Sequence, residues 1–252
     1  MPSQWKSLQA VSSEELPQEE PLSRTEKKLR AIRPITLGLE DYFKIKCHEE
    51  KASTLYREGS SCQSVYFIAS GCVRLKRIVV DAQTETLVDM LGPGDFCGNL
   101  SAEPAARMRE SAIPAQGSEI WSIDATDFRR LLAVRPLFAQ EFIQAQNDRL
   151  RHQQHRLFWI TTRNAPFRLI LAFIDMAERF GSPSHVTGEW SLQGISQADL
   201  AEYIGVVRNL VSRLTCDMRR AGIITTVGRT IYIPSRRRLY ELAGMAVPDS
   251  LD

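Results

Sequence analysis

The hydrophobic pattern is most regular over residues 195–214, ISQADLAEYIGVVRNLVSRL. Leu200, Ala201 and Ile204 recur at helical spacing behind Ser196, whose hydroxyl can cap the helix start. Gly205 then supplies the positive φ that a tight turn between two helices needs. A second helix follows, with Val207, Leu210, Val211 and Leu214 predicted to face inward and Arg208, Asn209, Ser212 and Arg213 outward. This is the pattern of a helix-turn-helix, whose second helix presents an Arg- and Asn-bearing face of the kind that fits a DNA major groove. An ordinary two-helix hairpin with a solvated charged face has the same pattern. The next residues favour the first reading. Arg219-Arg220-Ala221-Gly222 ends the helix with basic residues and a C-cap glycine, and IITTV at 223–227 and TIYI at 230–233 flank Gly228-Arg229 as a β-hairpin. A helix-turn-helix followed by a short hairpin is a winged helix.

Upstream, over about 52–127, the period changes. Short β-branched and aromatic runs (Thr54-Leu55-Tyr56, Val65-Tyr66-Phe67-Ile68, Val73-Arg74-Leu75, Leu87-Val88-Asp89-Met90, Ile120-Trp121-Ser122-Ile123) alternate with turns at Gly59, Gly71 and Gly92-Pro93-Gly94-Asp95. Short strands at this spacing predict an antiparallel sandwich or barrel. A helix capped by Asp124 or Thr126 closes it, with Phe128, Leu131 and Leu132 as its apolar stripe. A long helix follows over 136–161, in which Ile143, Leu150 and Leu157 repeat every seven residues and Gln146, Gln153 and Ile160 fill the complementary positions. That repeat favours a coiled-coil partner, most simply a second copy of the chain; the alternative is a helix lying on its own domain. Asn164-Ala165-Pro166 breaks the helix, and another helix over 167–180 leads through Gly181-Ser182-Pro183 to the winged helix. The expected organisation is a flexible, charge-rich tail at 1–33, a β-domain at 34–135, a dimerisation helix at 136–163 and a winged helix-turn-helix domain at 164–252.

Charge sharpens this picture. Residues 195–238 hold eight arginines, no lysine and three carboxylates, a balance of +5, whereas the whole chain of 252 residues carries only +2. Positive charge concentrated on one segment is what phosphate binding requires. No apolar run approaches the ~20 residues of a membrane span, and the N-terminus lacks the basic start and apolar core of a secretory signal. Five widely spaced cysteines without a CxxC pair suit reduced thiols in the cytoplasm. No nucleophile–base constellation, zinc-spaced His/Glu motif or phosphate loop points to an enzyme. His152 and His155, three apart on the long helix, lack an evident third ligand, so no metal site is expected.

The order of a small β-barrel, a long helix and a winged helix resembles the CRP/FNR family of bacterial transcription regulators. Three motifs carry the resemblance: Gly59 with Val65-Tyr66-Phe67-Ile68-Ala69-Ser70-Gly71, Gly92-Pro93-Gly94-Asp95-Phe96-Cys97-Gly98, and Gly205-Val206-Val207-Arg208-Asn209-Leu210-Val211-Ser212-Arg213-Leu214. It implies an α+β protein with a cyclic-nucleotide-binding-type antiparallel barrel (a double-stranded β-helix), a symmetric dimer, and paired recognition helices reading a palindrome in double-stranded DNA. RNA polymerase would be a further partner of an activator. In this alignment Arg213 matches the family arginine that contacts guanine, Asn209 stands where many relatives have Glu, Arg208 and Ser212 share the same face, and Arg229 on the wing is placed for phosphate.

The resemblance also exposes departures. Members that bind cyclic AMP have Glu after the glycine at 98, for the ribose hydroxyl, and Arg just before the serine at 111, for the phosphate. Here those places hold Asn99 and Glu110, and a carboxylate facing a cyclic phosphate is repulsive. Arg109 or Arg107 can substitute only if the loop, one residue longer here, shifts. Cyclic AMP is therefore not expected to bind in the usual manner. Gln153 and Gln154 occupy the places where cyclic-AMP binders contact the base, so Gly98, Asn99, Arg109, Ser111, Gln153 and Gln154 are the candidate lining of an effector pocket. Residues 1–46 contain no cysteine, which argues against an iron–sulfur cluster of the family's kind. The sequence itself requires no cofactor; the alternative is a small-molecule or haem-sensing receptor of the same fold.

Overall fold

In the β-rich half, side chains alternate between two cores. Val65 and Phe67 of one strand point to a cluster with Phe96, Trp121, Ile123, Phe128, Leu131 and Phe138, while Ile68 of the same strand joins Leu75, Leu91, Cys97, Ala112 and Ile120. This period of two gives two layers from one set of strands. The computed structural model describes residues 43–48, 54–79, 81, 84–101, 107–183, 189–228 and 230–248. These divide into two compact units, the boundary falling between His155 and Arg156. The expected tail at 1–33 lies outside the described residues.

The first unit contains strands β1 (Lys44–His48), β2 (Ser64–Ser70), β3 (Val73–Val79), β4 (Thr84–Leu91), β5 (Phe96–Gly98), β6 (Ser111–Pro114) and β7 (Ser118–Asp124). Hydrogen bonding orders them as two antiparallel sheets, β1-β7-β2-β5 and β4-β3-β6. One core lies between the sheets. The other lies between the first sheet and helices α1 (Ala125–Val134) and α2 (Pro136–Thr162), with the Phe96 ring at its centre, 5.0 Å from Phe67 and 5.3 Å from Phe142. Asp124 is the cap of α1, accepting from Thr126 N at 2.7 Å. The run at 54–56 is not a strand; Tyr56 forms a single bridge to Ala112. Strands β1, β5 and β6 were not distinguished by the sequence pattern.

The second unit contains the end of α2, then α3 (Ala165–Phe180), β8 (Ser182–Pro183), β9 (Trp190–Leu192), α4 (Gln197–Ile204), α5 (Arg208–Arg220), β10 (Thr225–Val227), β11 (Thr230–Ile233) and α6 (Arg236–Leu242). The wing is larger than a hairpin: β10-β11-β9-β8 form a four-stranded antiparallel sheet. α3 is buried along most of its length, Leu169 to Ala177 inclusive, and Asn164 caps it. No helix of the described residues is long and apolar enough to cross a membrane.

Candidate nucleic-acid interface and two-sheet site

The helix-turn-helix is assembled by local signals. Ser196 Oγ accepts from Asp199 N at 3.1 Å while Asp199 Oδ2 accepts from Ser196 N at 2.9 Å, a reciprocal capping box that fixes the start of α4. Gly205 sits at φ 68°, the left-handed conformation that reverses the chain at low cost only for glycine. α5 then packs through Val211, Leu214, Thr215 and Met218, all buried. Arg208, Asn209, Ser212 and Arg213 are exposed on the opposite face. Their spacing of one, four and five residues places them on one side of the helix. Among the described residues their side chains make no hydrogen bond or ion pair.

One inward assignment is corrected. Val207 is 71% exposed, because it is the N-cap of α5 and stands ahead of the turn that packs. Two of the eight arginines at 195–238 are not open surface charge. The Arg236 side chain is 10% exposed, pairs with Glu178 at 3.3 Å and lies 4.3 Å from the Trp190 ring centre. Arg238 donates to Ala221 O at 3.0 Å and Gly222 O at 3.3 Å, closing the C-terminus of α5. Arg219 reaches Thr226 Oγ1 on β10 at 3.3 Å and so ties the helix to the wing. Arg229 lies outside the described residues.

In the two-sheet unit, the structure brings Gly98 and Ser111 against the 55–59 segment, while Asn99 is held by Ser64 and Ser101. Gly98 has φ 93°, and a Cβ there would meet Ser64 O at 2.4 Å, so only glycine lets β5 lie this close to β2. Gly98 N donates to Tyr56 Oη at 3.3 Å, Asn99 N to Ser64 O at 3.0 Å, and Glu58 N to Ser111 Oγ at 3.0 Å. Asn99 is buried and its Oδ1 accepts from Ser101 Oγ at 3.3 Å. Burial first, then the charges of Cys97 and Glu110, push the Tyr56 hydroxyl above its ordinary range; burial likewise pushes the Cys97 thiol up to about 12. Both are protonated at neutral pH. Arg109 is exposed, and Arg107 is spent on Gly59 O at 2.8 Å.

The sequence did not disclose the group at the β4–α2 contact. Asp89 is 4% exposed, and its Oδ2 accepts from Arg149 Nε at 2.9 Å and from Gln153 Nε2 at 2.8 Å, while Oδ1 accepts from Met90 N at 2.9 Å. Burial, the largest single influence, would lower the Arg149 guanidinium, but the charge and hydrogen bond of Asp89 together with the charges of Asp95 and Cys97 make the net shift upward. Gln153 is thus engaged with a carboxylate of its own chain, although it is exposed like its neighbour Gln154. The available signal was an aspartate inside the apolar run Leu87-Val88-Asp89-Met90-Leu91, where a buried carboxylate requires a partner. Ile143, Leu150 and Leu157 are 58%, 53% and 62% exposed. Among the described residues no three His, Cys, Asp or Glu side chains are grouped to hold a metal.

A four-stranded wing behind a helix-turn-helix, joined in one chain to a two-sheet antiparallel domain, defines a class of ligand-domain-plus-winged-helix proteins. Residues 47–135 match the cyclic nucleotide-binding domain and residues 168–242 the Crp-like helix-turn-helix domain. The chain belongs to the CRP/FNR family of transcription regulators, which are DNA-binding proteins and not enzymes. It is 26% identical over 193 residues to a CRP-like cAMP-activated global transcriptional regulator of Mycobacterium tuberculosis, covering 75% of this chain and 84% of the relative. It is also 26% identical to the cyclic AMP receptor protein of Thermus thermophilus, covering 80% of this chain and 89% of that one. In fold it is similar to FixK2 from Bradyrhizobium japonicum, with a TM-score of 0.65 at 19% identity, over 82% of this chain and 98% of that one.

Proposed function

We propose that this chain is a cytoplasmic homodimeric regulator that reads a palindromic DNA site through α5 and does not use cyclic AMP in the usual manner. The observation that carries the reading is the face of α5: Arg208, Asn209, Ser212 and Arg213 exposed and uncommitted over a fully packed back. Arg213 pairs with guanine O6 and N7. Asn209, both donor and acceptor, favours adenine. Arg208 and Ser212 add contacts, and Arg229 holds a phosphate. The exposed heptad residues Ile143, Leu150 and Leu157 supply the seam with a second copy, and a two-fold axis sets the recognition helices about 34 Å apart. RNA polymerase is the further partner wherever the protein activates.

The two relatives above are named for cyclic AMP. For this chain, the Gly98 amide is already donated to Tyr56, Gln153 to Asp89 and Arg107 to Gly59, and Glu110 brings negative charge. These commitments support a barrel whose nucleotide contacts are replaced by internal ones. Binding-site selection with the unmodified protein, Arg213→Ala and Asn209→Glu tests the assignment. Arg213→Ala should cost about 1–3 kcal/mol and relax preference at one base pair, and Asn209→Glu should change preference at a neighbouring pair. Unaltered base preference in both variants refutes the reading.

A further inference from the structure

The C-terminus of α4 carries four carbonyls that no later turn of the helix can satisfy. The glycine turn takes two: Val206 N donates to Ala201 O at 2.9 Å and Gly205 N to Glu202 O at 3.3 Å. The other two are taken from outside the motif. Arg156, in the last turns of α2, donates through Nε to Tyr203 O at 2.9 Å, and its guanidinium carbon lies 4.4 Å from the Tyr203 ring centre. A second nitrogen of Arg156 lies 3.5 Å from Glu202 O. Arg168, in the first turn of α3, donates to Ile204 O at 3.1 Å and to Arg163 O at 2.7 Å, so one fork joins the α2–α3 junction to the end of α4. A Cβ at Gly205 would have Ile160 Cγ2 at 3.8 Å and Arg168 at 3.9 Å, so the turn itself rests against these two residues.

The geometry points to Arg156 and Arg168 as positioning residues for DNA recognition: they hold the end of α4, and through the Gly205 turn they aim α5. The inference rests on the proposed reading that α5 enters the groove. The physical basis is that a guanidinium at a helix C-terminus meets both unsatisfied carbonyls and the negative end of the helix dipole. A planar fork held by two carbonyls and an aromatic face also has a single orientation, which a water-capped helix end does not impose. Two bends at once are thereby pinned, the α2–α3 junction and the helix-turn-helix turn.

The test uses the full chain and the duplex obtained by selection with the unmodified protein, measuring affinity over a range of salt by fluorescence anisotropy. Arg156→Met keeps the aliphatic stem and removes every donor; Arg156→Lys keeps the charge on a compact ammonium that lacks the planar fork. Each is titrated for active fraction, so that folded protein alone is compared. Arg156→Met should bind about tenfold more weakly, the equivalent of one charge-assisted hydrogen bond, with unchanged base preference and unchanged salt slope. Arg156→Lys should recover part of that loss. Affinity within twofold of the parent for both variants overturns the inference. So does a salt slope lower by about one, because that identifies Arg156 as a phosphate contact. Arg213→Ala runs alongside: if it too binds and selects normally, the recognition reading has failed. If it loses preference while the Arg156 variants bind normally, only the positioning role has failed.

Discussion

Replacing Asp89 by alanine should destabilise the two-sheet unit by about 3 kcal/mol, because it breaks a buried ion pair from one side only. The loss comprises three accepted hydrogen bonds, from Arg149 Nε, Gln153 Nε2 and Met90 N. The larger part is the guanidinium of Arg149 left without its paired carboxylate; its side chain is 18% exposed, its other hydrogen bond, to Phe96 O, is long at 3.5 Å, and the charge of Asp95 offsets the loss only in part. That residual exposure lets Arg149 regain some water, which places the cost at the lower end of the ~3–5 kcal/mol usual for such a deletion. Native-state hydrogen exchange resolved to peptides from β3, β4 and β7 reports the opening free energy of this unit. Removing the stranded charge as well, in Asp89→Ala/Arg149→Met, should restore at least half of the loss, the two residues being in one network. A single variant within about 0.5 kcal/mol of the parent would place the pair among exposed ion pairs of negligible net worth and refute the argument.

Leu150→Glu puts like charges opposite each other in the proposed seam and should convert dimer to monomer by sedimentation, with DNA binding reduced; a variant that stays dimeric means the seam lies elsewhere. Isothermal calorimetry with cyclic AMP should show no micromolar binding, and a micromolar signal with a matching gain in DNA affinity would overturn the proposed barrel reading. Tyr203→Phe removes the 2.6 Å donor to the buried Asp175 carboxylate and should cost about 1–3 kcal/mol in thermal unfolding of the winged-helix unit; an unchanged midpoint would show that the carboxylate is fully served by its other neighbours.

The features legible from sequence were those written in local chemistry. Ser196, Gly205 and the stripe Val211, Leu214 of α5 all emerge as read, since a cap, a left-handed turn and a helical period are each decided within a few residues. Val207 was misassigned because it shares the period of Val211 and Leu214 but precedes the first packed turn. What depended on distant residues was not legible. β8 and β9 are two and three residues long and exist through pairing with each other and with β11. Arg149 and Asp89 are 60 positions apart, and Arg156 and Tyr203 are 47, so no periodicity links either pair. Arg236 looked like surface charge in the run Arg236-Arg237-Arg238, and only the fold turns it onto Glu178 and Trp190.

The cationic face of the winged helix is built wholly from guanidinium groups: the last lysine in the chain is Lys76. A guanidinium keeps its proton throughout the physiological range, and the exposed charged side chains on α5, Arg208, Arg213, Arg219 and Arg220, are all of this kind. Acetyl transfer to a lysine ε-amine, a common means of erasing positive charge after synthesis, has no such acceptor anywhere in residues 77–252. The arginine charge offered to phosphate is therefore beyond the reach of lysine acetylation. Control over when this surface engages DNA then comes by routes other than lysine acetylation: how much of the protein is present, how many copies associate, or how the recognition helix is held.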